Sequence, residues 1–348
     1  MSRLALFYPH GHEAHNEPGH PERPERVEAI RDALKSAGLW DEFIHLDPTG
    51  VEDSVLYAIH APAYIDVLQS ACEQGRHLDA DTYTTPESWR LAVNAAGGAI
   101  SVASHVWGSG DTQTAEINSK GMALTRPPGH HATTDRGMGF CLLNNVALAA
   151  EHLLRNKGAS RVAIVDLDLH HGNGTQDIFW KRRDVFYIST HQSPLYPGTG
   201  HLNDVGAGPG EGYTANFPLP PATGDEGFLY ILESYIVPIL DRFEPDMILI
   251  SYGFDTHWMD PLGHLQLSAR GYGRLIRILS DWADINCSGR IAIFLEGGYD
   301  LEAGKACTLA AVAALLDHPF QDDLGPSPRP EGKSWQGVAR EAGEIWKI

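Results

Sequence analysis

The segment Asp166-Leu-Asp-Leu-His-His-Gly172 combines carboxylates and imidazoles at a spacing that suits a metal ion. Asp168 and His170 are two residues apart, so an extended chain directs both side chains to the same side. Asp255, further along the chain, can supply a third ligand. One imidazole with two carboxylates leaves positions free for water and substrate, as catalytic zinc sites do. The sequence therefore predicts an open, catalytic metal centre.

The same residues admit two other interpretations. Two oxygen ligands make the site harder than a histidine-rich one, so Fe²⁺, Co²⁺ or Mn²⁺ could occupy it in place of Zn²⁺. Alternatively, Asp166, Asp168 and His170 could simply cap a helix that follows them. The metal site is favoured because His-His-Gly follows directly and because polar residues also end four other apolar runs.

A hydrolase also needs proton carriers and a donor to the oxyanion. In Arg126-Pro-Pro-Gly-His-His131 a rigid turn should fix the direction of His130 and His131, and imidazoles exchange protons near neutral pH. Tyr299 follows two glycines, and its hydroxyl could donate to a carbonyl oxygen as charge develops there. The alternatives are a surface histidine pair without a role and a tyrosine that only packs.

Short apolar runs alternate with longer amphipathic segments, which predicts a parallel sheet covered by helices. The runs are apolar at nearly every position, as strands are when both faces of a sheet are buried. The predicted strands are Leu4–Tyr8, Gly121–Thr125, Arg161–Asp168, Val185–Thr190, Met247–Tyr252 and Ile291–Leu295. The predicted helices are Pro24–Ala37, Ser54–Gln74, Pro86–Trp107, Asn144–Lys157, Phe228–Phe243, Ala269–Asn286 and Gly304–Leu316.

The polar candidates stand just after five of these runs. In an open parallel sheet the carboxyl ends of the strands share one edge, and ligands bind there. We therefore expect the candidate ligands, the histidine pair and Tyr299 to converge on one place.

Composition excludes several functional classes. The chain has 348 residues, with 26 Lys and Arg, 45 Asp and Glu, and a formal charge of −19. Such an acidic chain lacks the attraction to phosphate that supports nucleic-acid binding, and anionic membranes should repel it. Four cysteines without a CxxC pair exclude a thiolate zinc site and a dense disulfide framework. We expect neither nucleic acid nor membrane as a partner.

The sequence also bears on location and domain number. No apolar run approaches the ~18 residues of a membrane helix, and the start, Met1 to Tyr8, lacks the layout of a signal peptide. We therefore expect a reduced, cytoplasmic protein. The length allows one or two domains, and nothing in the sequence indicates an oligomeric state.

Taken together, the motifs resemble the zinc-dependent histone deacetylase family, in particular the bacterial class II-like deacetylase-like amidohydrolases. The matching stretches run in family order from residue 20 to residue 299. They are His20-Pro-Glu-Arg-Pro-Glu-Arg26, Arg126-Pro-Pro-Gly-His-His131, Gly139-Phe-Cys-Leu-Leu-Asn144, Asp166-Leu-Asp-Leu-His-His-Gly-Asn-Gly174, Tyr196-Pro-Gly-Thr-Gly200, Phe254-Asp255, Asp260-Pro-Leu-Gly263 and Glu296-Gly-Gly-Tyr299.

This resemblance implies the arginase–deacetylase fold, an α/β domain with an eight-stranded parallel sheet flanked by helices. One catalytic domain would span residues 1–348. Its core would cover about residues 4–319, and residues 320–348 would form a C-terminal tail packed on the surface.

The resemblance also implies a role for each catalytic residue. Zinc would bind Asp168, His170 and Asp255, and Tyr299 would be the catalytic tyrosine. Of the tandem histidines, His131 would act as the principal general base and then as the acid.

In this scheme, each of the two histidines is oriented by one further residue. Asp166 is placed to orient His130, and Asn173 to orient His131. The asparagine matches the class II-like branch, whereas class I enzymes have aspartate at this position. A neutral partner should favour a neutral His131.

Other positions match the substrate tunnel and its surroundings. Arg26 matches the arginine of the family's internal channel. Asp79 and Asp81 lie in a loop where family members often hold the substrate backbone with an acidic residue. The tunnel would be lined by Gly139, Phe140, Tyr196, Leu262 and Gly298.

The resemblance further implies two structural potassium ions. One would lie beside the zinc, at Asp166, Asp168, His170, Ser189 and the carbonyl of Thr190. The second would use backbone carbonyls of Phe179, Arg182, Val185 and Tyr213.

The expected activity is hydrolysis of Nε-acyl-lysine in peptides or proteins, and the first alternative is hydrolysis of acetylated polyamines. Leu262 occupies the position where polyamine-selective relatives can carry an acidic gatekeeper, which modestly favours lysine substrates. An arginase-like binuclear manganese enzyme would need further bridging carboxylates. A non-catalytic acyl-lysine binding module would be expected to lack a ligand or Tyr299, and neither is missing.

Two further features remain outside this scheme. The histidines His10, His12, His15 and His20 could bind a metal, but we predict that they lie in loops near the rim of the site. The segment Gly206–Gly212 resembles a phosphate-cradling loop, yet it does not follow a predicted strand and Pro209 interrupts it. We predict a surface loop there.

Overall fold

One parallel sheet of eight strands runs through the part of the chain that the computed structural model describes, residues 4–108 and 120–348. The strands are β1 (Leu4–Phe7), β2 (Ile44–Leu46), β3 (Lys120–Ala123), β4 (Val162–Asp166), β5 (Val185–Gln192), β6 (Thr214–Leu219), β7 (Met247–Tyr252) and β8 (Ile291–Leu295). Their order across the sheet is β2-β1-β3-β8-β7-β4-β5-β6. The eight-stranded parallel sheet agrees with the predicted fold class.

The two strands that the apolar runs do not predict lie at the two edges of this sheet. Residues of β2 are only partly buried, so they form no continuous apolar run. β6 includes Asn216 and Pro218, and proline is tolerated at an edge because its missing N–H breaks no central ladder. The central strands β7 and β8 have the predicted bounds. β4 ends at Asp166, earlier than predicted, so Asp168 and His170 lie in the loop after it.

Eleven α-helices are present in the described residues: α1 (Glu25–Ser36), α2 (Asp53–Ile59), α3 (Pro62–Gln74), α4 (Ser88–Trp107), α5 (Asn145–His152), α6 (Asn173–Phe179), α7 (Asp225–Ile231), α8 (Val237–Phe243), α9 (Ala269–Asn286), α10 (Leu301–Leu316) and α11 (Trp335–Trp346). The prediction of one helix over Ser54–Gln74 is wrong. Pro62 starts a new helix there, because proline disfavours the helical conformation in the residue before it. Helices α6 and α11 are absent from the predicted set. Two predicted helices contain π-helical stretches, at Leu153–Lys157 and Leu232–Ile236.

Helices cover both faces of the sheet. Along β4, Ala163 and Val165 pack with buried residues of α1 and α7–α11, whereas Val162 and Ile164 pack with residues of α2–α6. Both faces are thus dry, which explains why the central strands are apolar throughout. Polar side chains are consequently concentrated where the strands end.

The C-terminal part of the chain packs as a helix against this body. Trp335 of α11 is buried, and the hydroxyl of Tyr235 donates to the carbonyl of Ala339. The four cysteines are free thiols. Within the described ranges, no helix is long and apolar enough to cross a membrane, and Met1 to Arg3 of the predicted non-signal segment lie outside those ranges.

Candidate active site

The three predicted metal ligands lie together at the carboxyl edge of the sheet. Asp168 and His170 follow β4, and Asp255 follows the neighbouring strand β7. Ligand atoms of the three residues all lie within 4.8 Å of one another. His170 Nδ1 is 3.3 Å from Asp168 Oδ1 and 3.3 Å from Asp255 Oδ2. The two carboxylates and the imidazole therefore converge on one point.

Backbone groups hold the two carboxylates in place. The N–H of Gly297 donates to Asp168 Oδ2 over 2.8 Å, and the N–H of Leu169 donates to Asp255 Oδ1 over 2.9 Å. A Cβ atom on Gly253 would lie 2.0 Å from Asp168 Oδ2, and one on Gly297 would lie 2.3 Å from Asp255 Oδ2. Any larger residue at either glycine would displace a carboxylate.

This donor set fits a divalent cation. Asp255 Oδ2 is buried and has no hydrogen-bond partner, and a buried polar atom left unpaired costs free energy. The neighbouring Asp168 carboxylate adds a second buried negative charge. A divalent cation would satisfy the unpaired oxygen and neutralise both carboxylates.

His130 and His131 lie beside these ligands and have different partners. His130 Nδ1 donates to Asp166 Oδ2 over 3.1 Å, and His131 Nδ1 donates to Asn173 Oδ1 over 2.7 Å. The rings of His131 and His170 are 5.9 Å apart between centroids. Because Nδ1 of His131 is occupied by the asparagine, its Nε2 is the nitrogen available to take a proton.

The two histidines differ in pKa. Burial lowers the pKa of His130, but the charges of Asp168 and Asp166 outweigh this effect and raise it to about 10. Burial and the charges of His130 and His170 hold the pKa of His131 well below its ordinary value. Separated pKa values of this kind distinguish a group that holds a proton from one that accepts it.

A buried glutamate fixes the turn that carries the histidine pair. Glu296 Oε2 accepts from the N–H of Gly129 over 2.6 Å and from the N–H of His130 over 3.0 Å. Burial raises the pKa of Glu296 to about 7. Glu296 follows β8 and the turn follows β3, so this carboxylate connects the ends of two neighbouring strands.

Tyr299 is positioned by charged groups behind it. Its N–H donates to Asp260 Oδ2 over 2.7 Å. Arg26 donates to the carbonyls of Gly298 and Glu296, and its guanidinium carbon lies 5.0 Å from the centroid of the Tyr299 ring. Burial raises the pKa of Tyr299 well above its ordinary value, so the hydroxyl stays protonated and can donate.

A cavity of about 270 Å³ leads to these residues. Tyr196 and Leu262 are 40% and 37% exposed, as residues at a mouth would be. Gly298 is not among the residues that line the cavity, although Gly297 and Tyr299 on either side of it are. The lining residues are Asp81, Pro128, His130, His131, Gly139, Phe140, Cys141, His170, Tyr196, Leu262, Gly297 and Tyr299.

The residues predicted to bind potassium lie in two places. Ser189 pairs with Asp166 across β4 and β5, and the Ser189 hydroxyl shares a hydrogen bond with His191 Nδ1 at 2.9 Å. In the second group, the carbonyl of Phe179 accepts from the N–H of Arg182, and the carbonyl of Tyr213 accepts from the N–H of Tyr187. Val185, the remaining member of the second group, is the first residue of β5. Both potassium sites stay predictions.

Comparison with known families now decides the relationship. Residues 20–315 match the model of the histone deacetylase domain. The chain belongs to the histone deacetylase family. The matched range contains every predicted catalytic and metal-binding residue, from Arg26 to Tyr299.

Relatives of this histone deacetylase-family chain are found in archaea, bacteria and plants. A probable deacetylase of Archaeoglobus fulgidus is 40% identical over 301 residues, which cover 86% of this chain and 82% of the relative. A histone deacetylase-like amidohydrolase of Pseudomonas aeruginosa is 33% identical over 299 residues, covering 85% and 77%. The crystal structure of the HDA15 HD domain superposes with a TM-score of 0.86 at 34% identity, covering 100% of this chain and 97% of that one.

Sequence reasoning missed a buried ion cluster behind the deacetylase-family site. Glu22 accepts from Arg126 Nε over 2.7 Å and from Arg26 over 3.1 Å, and the two guanidinium groups lower its pKa to about 2 against the opposing effect of burial. Glu22 and Arg126 both stand in motifs that carried the resemblance, which was the available signal. Glu296 likewise stands in one of these motifs, Glu296-Gly-Gly-Tyr299, and the sequence alone assigns it no role.

The N-terminal histidines do not all lie in rim loops. His12 and His15 are buried, where His15 Nδ1 bonds the Ser88 hydroxyl at 2.6 Å and its ring stacks on Tyr83. His20 packs edge-on against Phe140, at 4.6 Å between ring centroids, and so lies beside the cavity. These histidines support the packing around the site.

Proposed function

We propose that this chain is a zinc-dependent amidohydrolase that removes acetyl or other acyl groups from Nε-acyl-lysine. The family relationship makes it a histone deacetylase-family hydrolase. The observation that carries the finer proposal is the unpaired, buried Oδ2 of Asp255, which lies 3.3 Å from Nδ1 of His170, a residue that lines the cavity. Two carboxylates and an imidazole whose ligand atoms lie within 4.8 Å of one another fit catalytic zinc better than a capping role.

In this proposal Asp168, His170 and Asp255 would hold the ion. A bound Zn²⁺ supplies Lewis acidity, which polarises a carbonyl and lowers the pKa of a coordinated water toward ~7. Fe²⁺ or Co²⁺ could serve with the same ligands, since two of the three are carboxylates. The surrounding side chains carry out the proton transfers and donate to the acyl oxygen.

The proton transfers are assigned to the histidine pair. His131 Nε2 takes the proton of the attacking water, since its Nδ1 is held by Asn173 and its ring is uncharged at the start. The protonated His131 then gives this proton to the leaving amine, which departs poorly as an anion. His130 stays protonated beside Asp166 and offsets part of the negative charge of the site.

The Tyr299 hydroxyl donates to the acyl oxygen as negative charge develops on it. The tyrosine is fixed before substrate arrives, because Asp260 binds its N–H and Arg26 binds the carbonyl that precedes it. A donor that needs no reorganisation favours the transition state over the bound substrate. Phe140, at 5.8 Å from the Tyr299 ring, would pack along the aliphatic chain of the lysine.

Acetylated polyamines are the second substrate class. Both classes present a flexible aliphatic chain ending in an acylated amine, so the cavity itself admits either. The mouth favours lysine, since the half-exposed Leu262 offers no partner to the free ammonium groups of a polyamine. Asp81 also lines the cavity and could bind either a peptide N–H or an ammonium group.

The test compares hydrolysis of acetyl-lysine peptides with hydrolysis of acetylputrescine and acetylspermidine. Each reaction is run with the purified protein, with a chelator, and with zinc restored after chelation. We expect chelator-sensitive turnover that zinc restores, with the peptide preferred in kcat/KM. Absence of chelator-sensitive turnover on every substrate would overturn the proposal, and a preference for the polyamines would replace its substrate.

A further inference from the structure

A second cavity, of about 370 Å³, lies at the opposite edge of the sheet from the catalytic residues. Arg161 directly precedes β4, Arg183 stands two residues before β5, and Tyr213 directly precedes β6, so the amino ends of three strands form its base. Helix α8 contributes Arg242, and Trp346 ends α11 above it. The volume is in the range of small-molecule sites.

Three arginines line this cavity in a chain whose net charge is −19. Arg183 makes no ion pair within the described ranges, and the nearby Asp184 is already bonded to Arg182 at 2.7 Å. Arg242 donates to two backbone carbonyls of the chain end, at 2.7 and 3.1 Å, so its charge is held in place but not neutralised.

Besides Asp184, two further carboxylates lie close to these arginines. Glu244 is 3.4 Å from Arg161 and largely exposed, so it neutralises that guanidinium only weakly. Glu211 lines the cavity and is also exposed. The cavity therefore keeps an excess of positive charge, and it can attract an anion although the whole chain repels anions.

The base of the cavity is aromatic. The ring of Phe186 lies 5.4 Å from Phe243, 5.9 Å from Tyr213 and 5.9 Å from Trp346, measured between centroids. The guanidinium of Arg161 lies 6.0 Å from the Phe243 ring. Phe186 and Phe243 are buried, whereas Tyr213 and Trp346 keep part of their surface exposed, and an exposed ring face beside guanidinium groups can stack on a planar group.

The glycine-rich segment Gly206–Gly212 ends at this cavity, where Gly212 is part of the lining. Its amide groups do not face outward as in a phosphate loop, because the N–H of Gly212 donates to Val205 and that of Tyr213 donates to Gly210. Any phosphate here would have to be bound by the arginine side chains.

We propose that this cavity binds a nucleotide: a planar ring on the aromatic base, with phosphates on Arg161, Arg183 and Arg242. Guanidinium groups bind phosphates through paired hydrogen bonds, and three of them suit a di- or triphosphate. The carboxylate of Glu211 would accept from a ribose hydroxyl or a ring amine. The site contains no residue of the proposed deacylase chemistry and does not depend on it.

Isothermal titration calorimetry of the full-length protein tests the proposal, with ATP as the first probe. Pyrophosphate and adenosine serve as separate probes of the charged and planar parts. We expect saturable binding of ATP, with each of the two fragments weaker by at least about tenfold because each lacks half of the contacts.

Two variants, Arg161→Gln and Arg183→Gln, should each weaken ATP binding by at least about tenfold, since each removes a charged hydrogen-bond donor. Arg274→Gln is the matched control, because Arg274 is an exposed arginine of α9 outside the cavity. Its affinity for ATP should equal that of the unaltered protein. Circular dichroism melting confirms that each variant is folded.

Three results would overturn the proposal. They are the absence of saturable ATP binding up to about 1 mM, ATP binding that both cavity variants retain, and pyrophosphate binding as tight as that of ATP. The second result would mean that ATP binds elsewhere, for instance at the catalytic metal. The third would remove the planar ring from the ligand.

Discussion

The residue that orients His131 carries no charge. Asn173 accepts the Nδ1 proton over 2.7 Å without adding a negative charge, and burial together with the charges of His130 and His170 keeps the pKa of His131 low. Replacement by aspartate would place a carboxylate at the same hydrogen-bond distance and would favour protonated His131. The charge of this one partner therefore affects the pKa of His131, and with it the pH range in which His131 can accept a proton.

We predict that Asn173→Asp moves the acidic limb of the kcat/KM profile to higher pH. A raised pKa of His131 means that its basic form is lost at a higher pH as the solution is acidified. The profile is measured from about pH 5 to 9 with an acetyl-lysine peptide. Asn286→Asp, at the exposed end of α9, is the matched control and should leave the profile in place. An unchanged acidic limb in Asn173→Asp would contradict this role of the asparagine.

We predict that Tyr299→Phe lowers kcat by about 10²- to 10³-fold, the usual effect of removing one oxyanion donor. The ring still packs against Phe140 and Arg26, so the fold and the ligands of the metal are retained. Zinc content, measured by elemental analysis of the purified variant, should stay normal. The control Tyr57→Phe changes a tyrosine that is 47% exposed and should have no effect. Full activity in Tyr299→Phe would remove its hydroxyl from the mechanism.

At this scale the sequence indicates the residues that react and the partners of the two histidines, Asp166 and Asn173, but it misses the buried glutamates that hold the surrounding segments. Asp168, His170, Asp255 and the histidine pair are recognisable because their chemistry is unusual at strand ends. Glu22 and Glu296 are not, because a glutamate in a motif looks the same whether it is buried or exposed. Only the fold reveals that each carboxylate is buried and accepts hydrogen bonds from distant segments.

Among the elements, helix α4 packs against the sheet more closely than a side chain would allow. A Cβ atom on Gly98 would lie 2.3 Å from the ring of Phe7 in β1. Glycine inside a helix usually costs about 1 kcal/mol relative to alanine, yet here it permits the contact between helix and strand. Gly337 in α11 provides the contrast, since nothing lies within 4 Å of its Cβ position.

We predict opposite effects of the same substitution at these two glycines. Gly98→Ala should lower the free energy of unfolding by about 1–3 kcal/mol, because the methyl group overpacks the interface with Phe7. Gly337→Ala should raise it by up to about 1 kcal/mol through helix propensity alone. Urea unfolding followed by circular dichroism measures both. Equal effects in the two variants would show that propensity, and not packing, determines the outcome at Gly98.

The elements that the sequence predicts well are those that are both buried and almost wholly apolar. β7 and β8 lie in the centre of the sheet with both faces covered, so their apolar runs coincide with their bounds. The edge strand β2 and the short helix α6 have mixed burial. The edge strand β6 is almost wholly buried but contains Thr214, Asn216 and Pro218, so it forms no apolar run, and its pairing depends on neighbours elsewhere in the chain. Local pattern therefore fails at the edges, where tertiary contacts determine the structure.

Over the whole molecule, eight of the 18 histidines are buried, and burial favours the neutral form of most of these eight. Burial is the main cause that lowers the pKa of His12 and His60 to about 4, of His15 and His191 to about 3, and of His257 to about 4. An unfolded chain would bind protons at these residues near pH 6.5. Each of these histidines therefore contributes to stability above that pH. The contribution is lost as the pH falls toward the pKa that the histidine has in the folded protein.

His60 allows this linkage to be measured at one residue. Its Nδ1 donates to the carbonyl of Thr133 over 2.9 Å, and its Nε2 accepts from the N–H of Asn144 over 3.0 Å. A second proton, on Nε2, would point at the N–H of Asn144 and abolish that hydrogen bond. Only the neutral ring can therefore bond both partners. With a folded pKa of about 4, this residue should account for about 2 kcal/mol of the stability lost between pH 7.5 and 5.

The free energy of unfolding falls between pH 7.5 and pH 5, and we predict that His60→Gln makes this fall smaller by about 2 kcal/mol. The substitution should also destabilise the protein at both pH values. The sign follows from the unfolded chain, which no longer gains a proton at residue 60 on acidification. Urea unfolding at the two pH values measures this difference. His318→Gln, at an exposed position after α10, should leave the difference unchanged. A loss as large in His60→Gln as in the unaltered protein would mean that His60 does not remain neutral in the folded state.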